Sequence, residues 1–275
     1  MEWAEKYRPK SLKDVVIRED MLRKIMDWAE AWKKGRVPEK KALVFEGRPG
    51  IGKTTTAIAL AHDMGWDYIE LNASDIRDEH HIKDIALRGS LQQTLGVEGN
   101  YMKTNEGRMK LIIIDEADNL YEVRGPFGDF GGKRAILETL KLARQPIILI
   151  VNDPYELFKG ENGIQLKYHV EEIEFRALNY RQIANILYKI CQMEGIKVDK
   201  SILEKIAQKS GGDVRAAIND LEQIAEGKKY LSENDLNSIG YRDDFQNIYG
   251  TTLTLLLTNS MKSARGTLME LDEDP

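Results

Sequence analysis

The chain has 275 residues, 31% of them charged and 42% hydrophobic, a composition suited to a soluble globular protein of two or three compact units. Its 40 Lys and Arg stand against 45 Asp and Glu, so no global basic field marks it for nucleic acid; any DNA contact must come from a local patch or from partner subunits. The single cysteine, Cys191, excludes an internal disulfide, and no apolar run approaches the roughly 20 residues of a membrane span. The N-terminal "MEWAEKYRPK" has no signal-peptide apolar stretch, which points to an intracellular, cytoplasmic location with no membrane partner. The four histidines (His62, His80, His81, His169) lack metal-ligand spacing.

In chain order, "MLRKIMDWAEAWKKG" sets Leu22, Ile25, Met26, Ala29 and Trp32 at helical spacing and stops at Gly35. "ALVFEG" reads as a buried strand, "KTTTAIALAHDMG" as a helix ending at Gly65, and "DYIELN" as a second strand. "IRDEHHIKDIALRGSLQQTL" reads as mostly helical. "MKLIIIDEAD" is a continuous apolar strand of the kind covered by helices on both faces. The glycine-rich "RGPFGDFGG" reads as a mobile surface loop, followed by a helix in "KRAILETLKLAR" and strands in "PIILIVND" and "VEEIEF". Strands alternating with helices predict an α/β fold with a central parallel sheet over residues 1–175. From about 176 the pattern changes to three helices with short polar joints, a small helical domain expected over 176–240. Cys191 falls in the first of them, as a buried small apolar residue. Residues 241–275 read as helical and stop in an acidic tail without completing a domain.

Four stretches carry chemistry. "VFEGRPGIGKTTTA" places Gly47, Gly50, Gly52, Lys53 and Thr54 between a strand and a helix, the arrangement of a phosphate cradle. Its glycines let backbone N–H groups turn inward around an anion, and the helix beginning near Lys53 aims its positive end at the same place. Lys53 suits the β- and γ-phosphates, and the Thr54 hydroxyl suits Mg2+. Asp115 and Glu116 end the apolar strand, on the sheet edge that also carries the phosphate loop. Asp115 is placed to hold magnesium and Glu116 to deprotonate an attacking water. Asp118 completes the letters DEAD and reads as a local cap of the next helix. Asn152 ends the next apolar run; its amide suits γ-phosphate and lytic water, although Asn-Asp-Pro is also an ordinary turn. Arg215 follows Asp213, a good helix N-cap, and so stands in a first helical turn. A cation there is opposed by the helix dipole, and an anionic phosphate would offset that cost; an ordinary exposed arginine is the alternative.

These motifs in this order, with a helical domain behind them, resemble the AAA+ ATPases. "WAEKYRPKSLKDVV", "LNASD" and "GGDVRAAINDL" are similar to replication factor C clamp-loader subunits, and "QPIILIVNDPYELF" and "MELDEDP" look most like the archaeal type of large subunit. The resemblance implies a P-loop domain, a helical lid and, from 241, the beginning of a helical collar, truncated at Pro275. It implies ATP and Mg2+ as ligands, with nucleotide contacts at Tyr7, Arg8, Pro9, Val15 and Val16. Further contacts are expected along the phosphate loop at Gly47, Pro49, Gly50, Ile51, Gly52, Lys53, Thr54 and Thr55, and at Asp115, Asn152, Val214 and Arg215. Thr54 and Asp115 would be the metal ligands; Glu116, Lys53, Asn152 and Arg215 would carry catalysis. DEAD-box helicases are disfavoured, because their Ser-Ala-Thr motif and second recombinase-like domain are not visible.

Small clamp-loader subunits carry a Ser-Arg-Cys motif after the asparagine strand, whose arginine enters a neighbour's ATP site. Here that stretch reads "NGIQLKYHVEEIEF". By that comparison the chain receives an arginine in trans and donates none, as expected of an end subunit in a hetero-oligomer, a pentamer with small subunits. The implied activity is ATP-driven loading of the PCNA sliding clamp onto primer-template DNA, held through backbone phosphates. Lys83, Arg88, Lys133 and Arg134 are DNA-facing candidates, with solvated helix faces as the alternative. Leu91, Leu95, Val97, Tyr101 and Met102 are candidates for the clamp, with ordinary packing as the alternative. The rival functions are another AAA+ motor, such as a branch-migration helicase or protein remodeller, and a scaffold that binds ATP without turnover. No convincing aromatic pore loop supports the first, and Glu116 and Asn152 argue against the second.

Overall fold

The computed structural model describes residues 2–73, 109–120 and 132–236, together with the backbone of 93–95, 101–103, 124–125, 128–129 and 237–238. Contacts divide the chain into one unit running from Trp3 to Leu178 and a second from Asn179 onward.

The first unit is built on a five-stranded parallel sheet. Its strands are β1 (Ala42–Glu46), β2 (Asp67–Asn72), β3 (Lys110–Asp115), β4 (Ile147–Val151) and β5 (Val170–Glu174), in the spatial order β2-β3-β4-β1-β5. Alternation explains the layering, because successive side chains point to opposite faces. Leu43, Phe45, Ile113, Ile148 and Ile150 lie on one face. They pack with Ile25, Trp28 and Trp32 of α1 (Glu19–Lys33) and Ala57 and Leu60 of α2 (Lys53–Met64). Val44, Ile112, Ile114, Ile147 and Leu149 lie on the other. There they meet Ile136 and Leu140 of α3 (Gly132–Leu142), with Leu157 of α4 (Pro154–Phe158) and Leu166 of α5 (Gly160–Leu166). Each fully buried side chain of this size stabilises the fold by about 1.5–3 kcal/mol before entropy is counted. The continuous apolar runs of β3 and β4 are therefore what a sheet covered on both sides requires.

Chain order and sheet order disagree around β1: its connection leads past β4 and β3 to β2, while β4 connects over it to β5. Such a reversal opens a crevice at the C-terminal strand ends, where ligands of open α/β sheets bind.

The second unit holds α6 (Tyr180–Glu194), α7 (Lys200–Lys209) and α8 (Val214–Ala225), with Ile183, Leu187, Leu203, Ile206, Leu221 and Ile224 buried. Asn179 and Gln182 form a reciprocal capping box that starts α6, and Gly195 ends it in the left-handed region. Cys191 is buried, and burial pushes its thiol up to about 11, away from reactive thiolate chemistry.

Several expectations need correction. Gln93–Leu95 is a strand paired antiparallel with Tyr101–Lys103, so the helical reading of 76–95 fails at its C-terminal end; residues 74–92 lie outside the described part. The glycine-rich loop contains a two-rung antiparallel ladder, Arg124–Gly125 with Gly128–Asp129. Helices α4 and α5 occupy "NDPYELFKGENGIQL", where glycines interrupt the periodicity and leave no helical signal in the sequence. The helical unit also holds a two-residue parallel ladder, Lys197–Val198 with Tyr230–Leu231, too short for alternation to show in the sequence. The expected helical segment at 241–275 lies outside the described residues.

A candidate nucleotide site at the strand tips

The turn from β1 into α2 is the centre of the site. Gly52 stands immediately before α2 with φ 97°, which a side chain would strain. Gly47 has φ 139°, and a Cβ there would lie 2.5 Å from the Phe175 carbonyl oxygen and 2.9 Å from Ile51 Cδ1. The tail of β5 thus presses on the start of the loop, fastened by the Phe175 N–H donating to Glu46 O at 2.8 Å. Ile51 is buried, anchoring the loop from below, while Pro49 is exposed.

Lys53 opens α2 and is 6% exposed. Its ammonium donates to the carbonyls of Gly47 and Arg48, the latter at 2.8 Å, and to Asn152 Oδ1 at 3.0 Å. Burial pulls its pKa below the ordinary lysine value, while Asp115 and then Asp118 act against that fall. The Thr54 hydroxyl donates to Asp115 Oδ2 at 2.8 Å, and Asp115 Oδ1 accepts the Glu116 N–H at 2.8 Å. The fold therefore brings loop, acid strand and asparagine strand into one hydrogen-bonded cluster. Thr55 follows at the next helical position, half-buried.

Glu116 is, among the described residues, the non-glycine residue with positive φ, at 53°. A left-handed glutamate costs roughly 1–2 kcal/mol and is retained where position matters. Its carboxylate accepts from Asn119 Nδ2 at 3.2 Å. Asp118 does not cap a following helix, as its sequence position suggests. Its Oδ2 accepts the backbone N–H groups of Asn152, at 3.1 Å, and of Asp153, at 3.0 Å. Nothing in the sequence signals that contact, because its partners are 34 and 35 residues away. Asp153 in turn caps α4 through Tyr155 N.

A cleft of about 440 Å3 opens beside the loop, bordered by Gly47, Arg48, Asn152, Pro154 and Phe175. At its floor, burial and then the neighbouring Glu172 and Glu174 raise the pKa of Glu46. Arg176 is held by a two-pronged ion pair to Glu174, at 3.1–3.2 Å.

The N-terminal arm belongs to the same unit. Leu12 N donates to Asp63 Oδ2 of α2 at 2.9 Å, tying the arm to the helix that leaves the phosphate loop. Tyr7 stacks edge-on with Trp3, Arg8 pairs with Glu5, and Pro9 is half-buried. Val15 packs against the core cluster that contains Ile51, and Val16 is exposed. In the second unit, Asp213 accepts Ala216 N–H at 2.8 Å as the N-cap of α8. Val214 and Arg215 stand in that first turn, and Arg215 is exposed with no ion pair among the described residues.

Lys133 is 4% exposed, and its ammonium donates to Glu156 O at 2.6 Å and Lys159 O at 2.9 Å. It braces α3 against the α4 region and is not free to meet a DNA phosphate. Arg134 is exposed and pairs with Glu138. Lys83, Arg88, Leu91 and Val97 lie outside the described residues; Leu95, Tyr101 and Met102 are described only as backbone in the Gln93–Lys103 ladder.

A phosphate loop bonded to an acid-tipped strand beside an asparagine-tipped strand, on a sheet of this order, defines a P-loop nucleotide-binding class. Residues 43–160 match the model of the ATPase family associated with various cellular activities (AAA), and residues 185–225 match the RCF1/5-like AAA+ ATPase lid domain. The chain belongs to the AAA+ ATPases. Within them it is a homologue of replication factor C large subunits: it is 40% identical, over all of its length and 54% of the relative's, to the one from Archaeoglobus fulgidus. With that of Methanopyrus kandleri it shares 39% over 99% of its length and 53% of the relative's, and with that of Methanosarcina mazei 42% over 100% and 42%. The chain spans about half the length of these relatives. Among solved structures, the Thermotoga maritima RuvB Holliday junction branch migration motor superposes with a TM-score of 0.65 at 16% identity, covering 91% of this chain and 79% of that one. That likeness concerns the fold alone.

Proposed function

We propose that this chain is the ATP-hydrolysing part of a clamp-loader large subunit, coupling turnover to loading of the PCNA sliding clamp onto primer-template DNA inside the cell. The observation that carries the reading is the pair of hydrogen bonds joining the phosphate loop to two strand tips, Thr54 to Asp115 and Lys53 to Asn152. The oxygens of Thr54 and Asp115 suit Mg2+, a hard cation that keeps most of its ligands as water and phosphate. Magnesium, when bound, supplies neutralisation of phosphate charge.

The side chains divide the remaining work. The Lys53 ammonium can exchange neutral carbonyl acceptors for anionic phosphate oxygens, which make stronger hydrogen bonds. Glu116 takes a proton from the attacking water, and Asn152 orients that water against the γ-phosphate. Arg215 offers a cation suited to phosphate, and a neighbouring subunit supplies a further arginine in trans. Tyr7, Arg8, Pro9, Val15 and Val16 line the adenine side, and Val214 is a further nucleotide contact. DNA is held through its phosphates, so binding falls with salt.

The test is reconstitution with archaeal-type small subunits, measuring ATP turnover alone, with clamp, and with clamp plus primed DNA. Stepwise stimulation is expected. A rate indifferent to clamp and DNA would refute the clamp-loading assignment. Stimulation by branched junctions instead would favour the other motor.

A further inference from the structure

We infer that Asp118 is a positioning residue that fixes Asn152 and thereby makes the site discriminate a triphosphate from a diphosphate. The inference rests on the nucleotide reading above. The β3–β4 ladder ends at Ile114 and Leu149, and the β1–β4 ladder ends at Glu46 and Val151. The N–H groups of Asn152 and Asp153 therefore lie past the last rung, at the point where the sheet no longer fixes the chain. Asp118 Oδ2 accepts both, at 3.1 and 3.0 Å, replacing the missing rung with a carboxylate.

Asp118 reaches that place because Glu116 turns left-handed and the chain then tightens into a single 3-10 turn, Ala117–Asn119, packed beside β4 and α4. With its backbone held from one side, Asn152 presents its amide oxygen to Lys53 at 3.0 Å from the other. Asp118 Oδ1 is buried and has no hydrogen-bond partner among the described residues. Such an oxygen costs stability, so the carboxylate is kept for its second oxygen and the placement that oxygen enforces. The unbroken chain of contacts is Asp118 to the Asn152 backbone, the Asn152 side chain to Lys53, and Lys53 to the phosphate loop.

The experiment measures affinity of the full chain for a fluorescent non-hydrolysable ATP analogue and for the matching ADP analogue. Asp118→Ala is expected to weaken the triphosphate by about 3–10-fold and the diphosphate by less than about twofold, the range of one or two hydrogen bonds. In an Asn152→Ala background the same change should add nothing. Asp118→Asn keeps one acceptor oxygen and serves if the alanine variant does not fold. It should lose less selectivity, and only while Asn152 is present. Equal loss of both analogues, or a loss that persists without Asn152, overturns the inference while the nucleotide reading stands. Failure of the unaltered chain to bind either analogue removes both.

Discussion

The two units prepare their chemical groups in opposite ways. At the strand tips of the first, Lys53, Thr54, Asp115, Asp118 and Asn152 bond to one another or to the loop backbone, so the geometry of the site is stored in the fold. On α8 of the second, Arg215 is exposed in a capped first turn and has no ion pair among the described residues. The first unit holds a constellation, and the second holds one cation on a well-started helix. Preorganised groups act through position and should fail steeply when altered, whereas a lone surface charge should fail gently and selectively.

The steepest expected loss is at Glu116. Glu116→Gln keeps the size of the side chain and removes its basicity, so ATP turnover in the reconstituted assembly should fall by roughly 10²- to 10⁴-fold. Nucleotide affinity of the chain should remain, because the phosphate loop, Thr54 and Asp115 are untouched. Turnover at the unaltered rate would remove Glu116 from its role and blunt the contrast between the units.

Next in size is Gly47→Ala. The new methyl would stand 2.5 Å from the Phe175 carbonyl, a backbone atom with no flexible escape, on a residue whose φ is already 139°. Overpacking of this kind costs about 1–3 kcal/mol, and the strain falls on the loop itself. Thermal melting should drop, and nucleotide affinity should drop with it. A folded variant with full affinity would show that the β5 tail does not shape the loop.

Much of this contrast is legible in the sequence, for a physical reason. Strands β3 and β4 are covered on both faces, so they appear as unbroken apolar runs, and the residues that end them stand out as Asp115, Glu116 and Asn152. The phosphate loop is legible because few chains other than an anion cradle place glycines at these spacings between strand and helix. The rest depends on contacts remote in sequence. Asp118 looked like a helix cap because capping is local, yet its partners arrive with β4. Lys133 looked like a surface cation because lysines usually are, yet its ammonium satisfies carbonyls of α4 and its neighbour. Helices α4 and α5 are short and interrupted by glycine, so periodicity had too few turns to register.

Within the second unit, Asp213→Ala isolates the cap from the cation that follows it. Loss of the bond from Ala216 N–H should cost about 1 kcal/mol of helix stability, read by chemical denaturation. The same treatment should leave the affinity of the strand-tip site within the scatter of the measurement if the cap acts only on α8.

The smallest effect on stability, and the most informative, belongs to Arg215→Ala. A cation in the first turn opposes the helix dipole by roughly 0.3–1 kcal/mol, and alanine is a good helix former. On folding grounds alone the substitution should therefore be neutral or slightly stabilising. If Arg215 serves a phosphate, the same variant should weaken the ATP-dependent response of the reconstituted assembly to clamp and DNA. The two signs are opposite, and that separates the readings: a side chain kept for stability would lose both together, and an idle surface arginine would change neither. A variant that melts no lower yet couples ATP poorly to clamp and DNA is what a charge held in readiness for another group requires. Unaltered coupling would return Arg215 to the ordinary surface and leave the strand tips as the whole of the site.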